Sequence, residues 1–145
     1  MQKAKNNKNP EDKPPIDKKF IMEYWITMSD TDFDTMNDLF QIKRYNWALF
    51  IGHLVIEKLL KACFVKYHTQ HPPLIHDLLK LALKSNLPLS EEQKLILDTA
   101  TTFNINARYD DYKLAFYKKC TKEYTGQWIE KITDLRQWIK EEHLK

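Results

Sequence analysis

Glycine is scarce in this chain: two residues in 145, Gly52 and Gly126, against a usual share of about 7%. Sandwiches and barrels turn their hairpins on glycine, so the shortage excludes an all-β fold and leaves a helical one. Cysteine is equally scarce. Cys63 and Cys120 stand in helix-like contexts (LLKACFVK and FYKKCTKE) with no CxxC pair and no histidine at zinc-finger spacing. Two reduced thiols in a cytosolic, cytoplasmic setting are therefore expected, not a disulfide framework. Long apolar runs are missing as well. The longest stretch without a formal charge, Tyr45 to Ile56, covers twelve residues, where a membrane span needs about 20. The N-terminus, MQKAKNNKNPEDKPP, is polar from the start and lacks the apolar run of a signal peptide. Also absent are a glycine-rich phosphate loop, GxSxG and HExxH, which removes the reaction types those motifs serve.

Charge of one sign is missing from the body of the chain. The formal net charge is +3, but residues 1–19 hold six of the 23 basic and three of the 20 acidic groups. The remaining 126 residues therefore carry 17 of each sign. The basicity belongs to a tail, expected to be a disordered leader over 1–19, and the body over 20–145 carries no broad electrostatic footprint for nucleic acid.

What is present is apolar periodicity. Ile21, Trp25, Met28, Asp32 (a polar exception), Met36 and Leu39 step by three or four with Phe33 and Phe40 alongside, predicting an amphipathic helix over 20–42 with an acidic outer face. RYNWALFIGHLVIEKLLKACFVKY follows, apolar over a wide face and basic elsewhere, and is expected to be the central, most buried helix. Opposite charge favours an antiparallel pairing of these two helices. Pro72 and Pro73 break the chain, and a short helix is predicted from His76 to Ser85. Ser90 and Gln93 form a capping box for a fourth helix ending near 104–106. The segment over 104–115 reads as irregular, and Thr121 caps a final helix that carries Trp128, Ile132, Leu135 and Ile139. The expected fold is all-α: an up-and-down bundle of about five to six helices in one domain, long enough to bury roughly 68–70% of its unfolded surface.

Three groups of residues carry candidate chemistry. His53, Glu57 and Lys61 lie at i, i+4 and i+8, one stripe of the central helix. Buried unpaired polar groups cost about 1–3 kcal/mol each, so this stripe either lines a site or forms a structural ion pair, Glu57 with Lys61 or with Arg108. His68, His71 and His76 gather around the proline pair without nearby cysteines or paired acids, so no metal is expected, and His76 or Asp77 is expected to cap the third helix. Arg108, flanked by Tyr109 and Tyr112, has the chemistry to clamp a phosphate while the rings stack on a base, or to pair with Glu57 and lock the segment down.

Taken in order, EKLLK (Glu57, Lys58, Lys61), HDL (His76 to Leu78) and ARY (Ala107 to Tyr109) resemble the HEPN domain family over roughly 20–142. The resemblance implies a helical bundle that commonly dimerises and a role with a nucleotide or RNA. It also implies a small nucleotidyltransferase as partner in toxin–antitoxin, stress or defence systems. Many members are metal-independent ribonucleases with Arg, four to six residues, then His. Arg108 sits where that arginine would lie, but no histidine follows it until His143. Arg136 and His143 satisfy the bare spacing at a place that does not match the family's motif. The expected role is thus noncatalytic, binding through Arg108, Tyr109, Glu57, Lys61, His76, Asp77 and Tyr112 without a cofactor. A ribonuclease toxin with a degenerate site and a helical protein–protein interaction module are the alternatives.

Overall fold

The computed structural model describes residues 16–145. Six helices follow one another, with no strand among the described residues: α1 (Lys18–Gln41), α2 (Tyr45–His68), α3 (Leu78–Lys84), α4 (Glu91–Arg108), α5 (Asp110–Lys119) and α6 (Lys122–His143). The all-α bundle expected from composition and periodicity is the fold observed.

The central helix is α2, as its wide apolar face predicts. It packs against α1, α3, α4 and α6, and Leu49, Val55, Ile56, Leu59, Leu60 and Val65 lose all contact with solvent. Each such aliphatic side chain contributes about 1.5–3 kcal/mol relative to exposure. Two small residues set how closely its neighbours approach. Ser29 of α1 is buried and donates its hydroxyl to the Val55 carbonyl at 2.7 Å. A methyl group added at Gly52 would meet Ile132 Cδ1 of α6 at 2.6 Å and Met36 Sδ of α1 at 3.1 Å.

The opposite charges of α1 and α2 meet in one ion pair, Asp32 with Lys58. A second acid of α1, Asp30, turns instead to α6 and takes Arg136 at 2.9 Å and Lys140 at 2.7 Å.

Helix ends follow the local chemistry. Asp17 accepts from the Phe20 amide at 3.1 Å, so α1 starts at Lys18, two residues before the expected boundary at 20. The expected disordered leader falls largely on residues 1–15, outside the described residues. The Ser90 and Gln93 capping box forms in both directions, at 3.1 and 2.9 Å, and Thr121 caps α6. The expected start of the third helix at His76 is corrected: the Asp77 carboxylate caps the Lys80 amide at 3.0 Å, and the helix proper begins at Leu78.

The larger correction concerns 104–115, expected to be irregular. The helix α4 continues to Arg108 and α5 begins at Asp110, with Tyr109 alone between them in extended conformation. The reason is visible in α5, where Phe116 is the one buried residue. A ten-residue helix that anchors through a single side chain has no apolar stripe to read.

Candidate functional site on the flank of the central helix

The stripe of α2 meets two other parts of the chain, the loop leading into α3 and the end of α4. Glu57 is 3% exposed, Lys61 7% and His53 fully buried. Glu57 divides its oxygens: Oε2 lies 3.5 Å from Lys61 Nζ, and Oε1 accepts from His76 Nδ1 at 2.6 Å. The Lys61 ammonium also rests over the Trp25 ring of α1, 4.9 Å from its centroid, where the face of an indole attracts a cation. Both charges of the pair are therefore compensated, the condition for leaving them in a buried place.

His76 is gripped twice. Besides its ring on Glu57, its backbone carbonyl accepts from His53 Nε2 at 3.0 Å. With Nε2 carrying the proton, His53 Nδ1 is left as a buried nitrogen without a partner among the described residues. Burial lowers the His53 pKa from its ordinary 6.5, opposed by the bond to the His76 carbonyl and the Glu57 charge and assisted by the His76 and Arg108 charges. His53 is consequently a neutral structural post, while the His76 side chain remains 63% exposed.

The loop is fixed at its next residues too. Asp77 is occupied as the α3 cap, and the Leu78 amide donates to Thr101 Oγ1 of α4 at 3.0 Å. Asp77 therefore holds its carboxylate on the α3 backbone and contributes by placing His76.

Arg108 ends α4. Its Nε donates to the Asn104 carbonyl at 3.0 Å, and its guanidinium lies 5.6 Å from the Phe50 ring centroid and 5.5 Å from that of Tyr109. Of the two ion pairs expected for Glu57, the one with Lys61 is made and the one with Arg108 is not. Glu57 is satisfied by Lys61 and His76, and the Arg108 side chain stays exposed over aromatic rings. Tyr109 and Tyr112 are exposed beside it, 55% and 52%.

Sequence reasoning missed Phe50. It lies three residues before His53, so extending the stripe one turn back would have found it. Trp25, which supports Lys61 from α1, gave no such signal because nothing in the α1 pattern sets it apart from other core positions.

The remaining candidates are engaged elsewhere. His68 meets the Lys84 carbonyl at 2.6 Å and stacks on Phe64 at 4.2 Å. Among the described residues, no group of three or more His, Cys, Asp or Glu is arranged to hold a metal ion. Arg136 is bound to Asp30 and lies over the Phe33 ring at 4.0 Å. His143 packs on Trp138 at 4.6 Å, its carbonyl accepts from Lys66 at 2.9 Å, and burial lowers its pKa below 6.5. This pair belongs to the seams that α6 makes with α1 and α2. Cys63 is inert, its thiol pushed up to about 12 by burial, and Cys120 is pushed up to about 11 for the same reason.

Six helices around one buried axis, with a polar cluster on the flank of that axis and an arginine over aromatics beside it, define an all-α bundle with a laterally placed site. The family model of the HEPN domain matches residues 22–143, and the chain belongs to the HEPN domain family. That membership carries a nucleotide- or RNA-related role in general. No curated protein matches the chain, and no solved structure does. No helix among the described residues is long and apolar enough to cross a membrane.

Proposed function

We propose that the domain binds a nucleotide or a single-stranded RNA through Arg108 and the exposed rings around it, and that it does so without turnover by the family's arginine and histidine pair. The observation that carries this reading is the state of Arg108: a guanidinium with no carboxylate partner among the described residues, held by a backbone carbonyl and over the Phe50 and Tyr109 rings, with exposed Tyr112 in the first turn of α5. A planar cation of this kind accepts a phosphate with two parallel hydrogen bonds, and neighbouring rings give bases a surface to stack on. The helix that follows Arg108 carries no imidazole, so the acid or base partner found in nuclease members is missing from it.

A second copy of the chain is the partner that α5 fits best. Its first turn bears Asp110 and Asp111, its last turn Lys118 and Lys119, and Leu114 and Tyr117 between them are exposed. An antiparallel two-fold pairing would set the acidic turn against the basic turn of the other copy and cover these side chains. A small nucleotidyltransferase in a toxin–antitoxin, stress or defence setting is the heterologous partner that family membership suggests.

The test is Arg108→Ala, followed by binding of a labelled single-stranded oligoribonucleotide and by thermal melting. Because the side chain is exposed and bonded to one carbonyl, its loss should change stability by no more than about 0.5 kcal/mol. Losing a charge-assisted phosphate contact should weaken binding by about 1.5–3 kcal/mol, roughly 10- to 150-fold. Unchanged affinity would remove Arg108 from the site.

A further inference from the structure

The exposed imidazole of His76 is far better positioned than an ordinary surface histidine. Its ring is tied to an almost fully buried carboxylate at 2.6 Å, its carbonyl to His53 at 3.0 Å, and the following two residues to the backbone of α3 and to Thr101. A carboxylate oxygen only accepts, so Nδ1 carries a proton, and a ring that holds this single proton presents Nε2 as a bare acceptor. Glu57 is itself held by Lys61, which keeps that tautomer in place. Among the described residues Nε2 has no hydrogen-bond partner, and the side chain is 63% exposed. A fixed, outward acceptor of this kind is suited to a hydroxyl group on a ligand.

Its position relative to Arg108 narrows the class of hydroxyl. Phe50, His53 and Glu57 lie on one stripe of α2, with Arg108 over Phe50 and His76 tied to both His53 and Glu57. The α2 positions that the cation and the acceptor's ring lean on are one to two turns apart, about 5–10 Å along the helix axis. That is the reach of one nucleotide from its phosphate to its sugar.

We propose that His76 selects ribose: with a phosphate on Arg108, His76 Nε2 accepts a hydrogen bond from the 2′-hydroxyl of the adjoining sugar, and Glu57 is the positioning residue that fixes the accepting tautomer. A deoxyribose offers no such donor, since the 2′-hydroxyl is the group by which a protein separates RNA from DNA. This inference rests on the reading of Arg108 as the phosphate contact, and it assigns that site its sugar specificity.

The experiment compares a short single-stranded oligoadenylate with the oligodeoxyadenylate of equal length, by fluorescence anisotropy at one fixed salt concentration with the full chain. The ribose form should bind about 3- to 10-fold more tightly, the contribution of one neutral hydrogen bond. His76→Ala should erase that ratio by weakening the ribose form alone. Glu57→Gln should erase it too, because its amide can donate to Nδ1 and return the proton to Nε2. If Glu57→Gln fails to fold, His76→Ala still decides the matter, its side chain being exposed. Arg108→Ala should weaken both sugars alike and keep the ratio.

Equal binding of the two sugars by the unaltered protein, a ratio that survives His76→Ala, or equal loss of both sugars in that variant would overturn the ribose assignment. The first two outcomes leave the Arg108 site standing. Binding of neither oligonucleotide would overturn both readings.

Discussion

At the residue scale, much depends on one carboxylate. Glu57 neutralises Lys61 and orients His76 from a place that is 3% exposed. Glu57→Ala would leave the Lys61 ammonium buried with only the Trp25 ring for company. Removing one partner of a buried pair costs about 3–5 kcal/mol, and a urea titration should show the midpoint falling accordingly. Acid should weaken the fold through His53. In the folded state it is held below its ordinary 6.5 by burial, so the unfolded chain binds one more proton as the pH drops beneath that value. This contribution to stability should be complete above about pH 6.5 and decline below it, by up to about 1.4 kcal/mol per pH unit. His53→Gln, which keeps a donor for the His76 carbonyl, should flatten the decline measured by denaturation at several pH values. The stripe of His53, Glu57 and Lys61 was legible because four-residue spacing stacks side chains on one helix face. The choice of His76 over Arg108 as partner was not. Both lie far from Glu57 in sequence, and only the path of the loop over 69–77 decides which arrives.

Among elements, the shortage of glycine reappears as strain at turns. Helix α1 ends in a Schellman motif, with the Lys43 amide bonded to the Phe40 carbonyl at 3.1 Å and the Arg44 amide to that of Leu39 at 2.8 Å. The left-handed position, where glycine is usual, is filled by Lys43 at φ 63°. Asn86 plays the same part after α3 at φ 57°, as a residue more tolerant of that region. Lys43→Gly should therefore stabilise the domain by about 1 kcal/mol, read as a raised urea midpoint. The two glycines that exist sit inside helices instead, and at Gly52 the side chains of Met36 from α1 and Ile132 from α6 fill the space a Cβ would take. Gly52→Ala should cost about 1–3 kcal/mol by forcing Ile132 and Met36 aside, with thermal melting as the measurement. Periodicity and capping chemistry identified α1, α2, α4 and α6, whose buried faces recur every three or four residues. They failed for α5, because one buried phenylalanine sets no period and the helix is held by its attachment to α4.

For the whole molecule, the charge distribution constrains how any ligand can be held. Residues 20–145 are neutral overall, so affinity for RNA should depend weakly on salt, with a slope reflecting one or two phosphates and not a basic surface. A chain beginning at Ile16, which keeps the Asp17 cap, should retain the Arg108-dependent part of binding and lose whatever the lysine-rich tail adds. Anisotropy titrations of both chains at several salt concentrations separate the two contributions. If α5 pairs with its copy, Leu114→Asp should convert a dimer into a monomer in sedimentation velocity while leaving the melting temperature nearly unchanged, since Leu114 is 63% exposed. The double grip of α2 on His76 has a kinetic consequence as well. The end of the loop, at His76 and Asp77, cannot come away alone: freeing it strips His53 of its acceptor, Glu57 of a donor and Leu78 of Thr101 in one event. Deuterium should therefore enter the Leu78 amide at the slow pace of the bundle's interior, and this connection between helices opens only when much of the domain does.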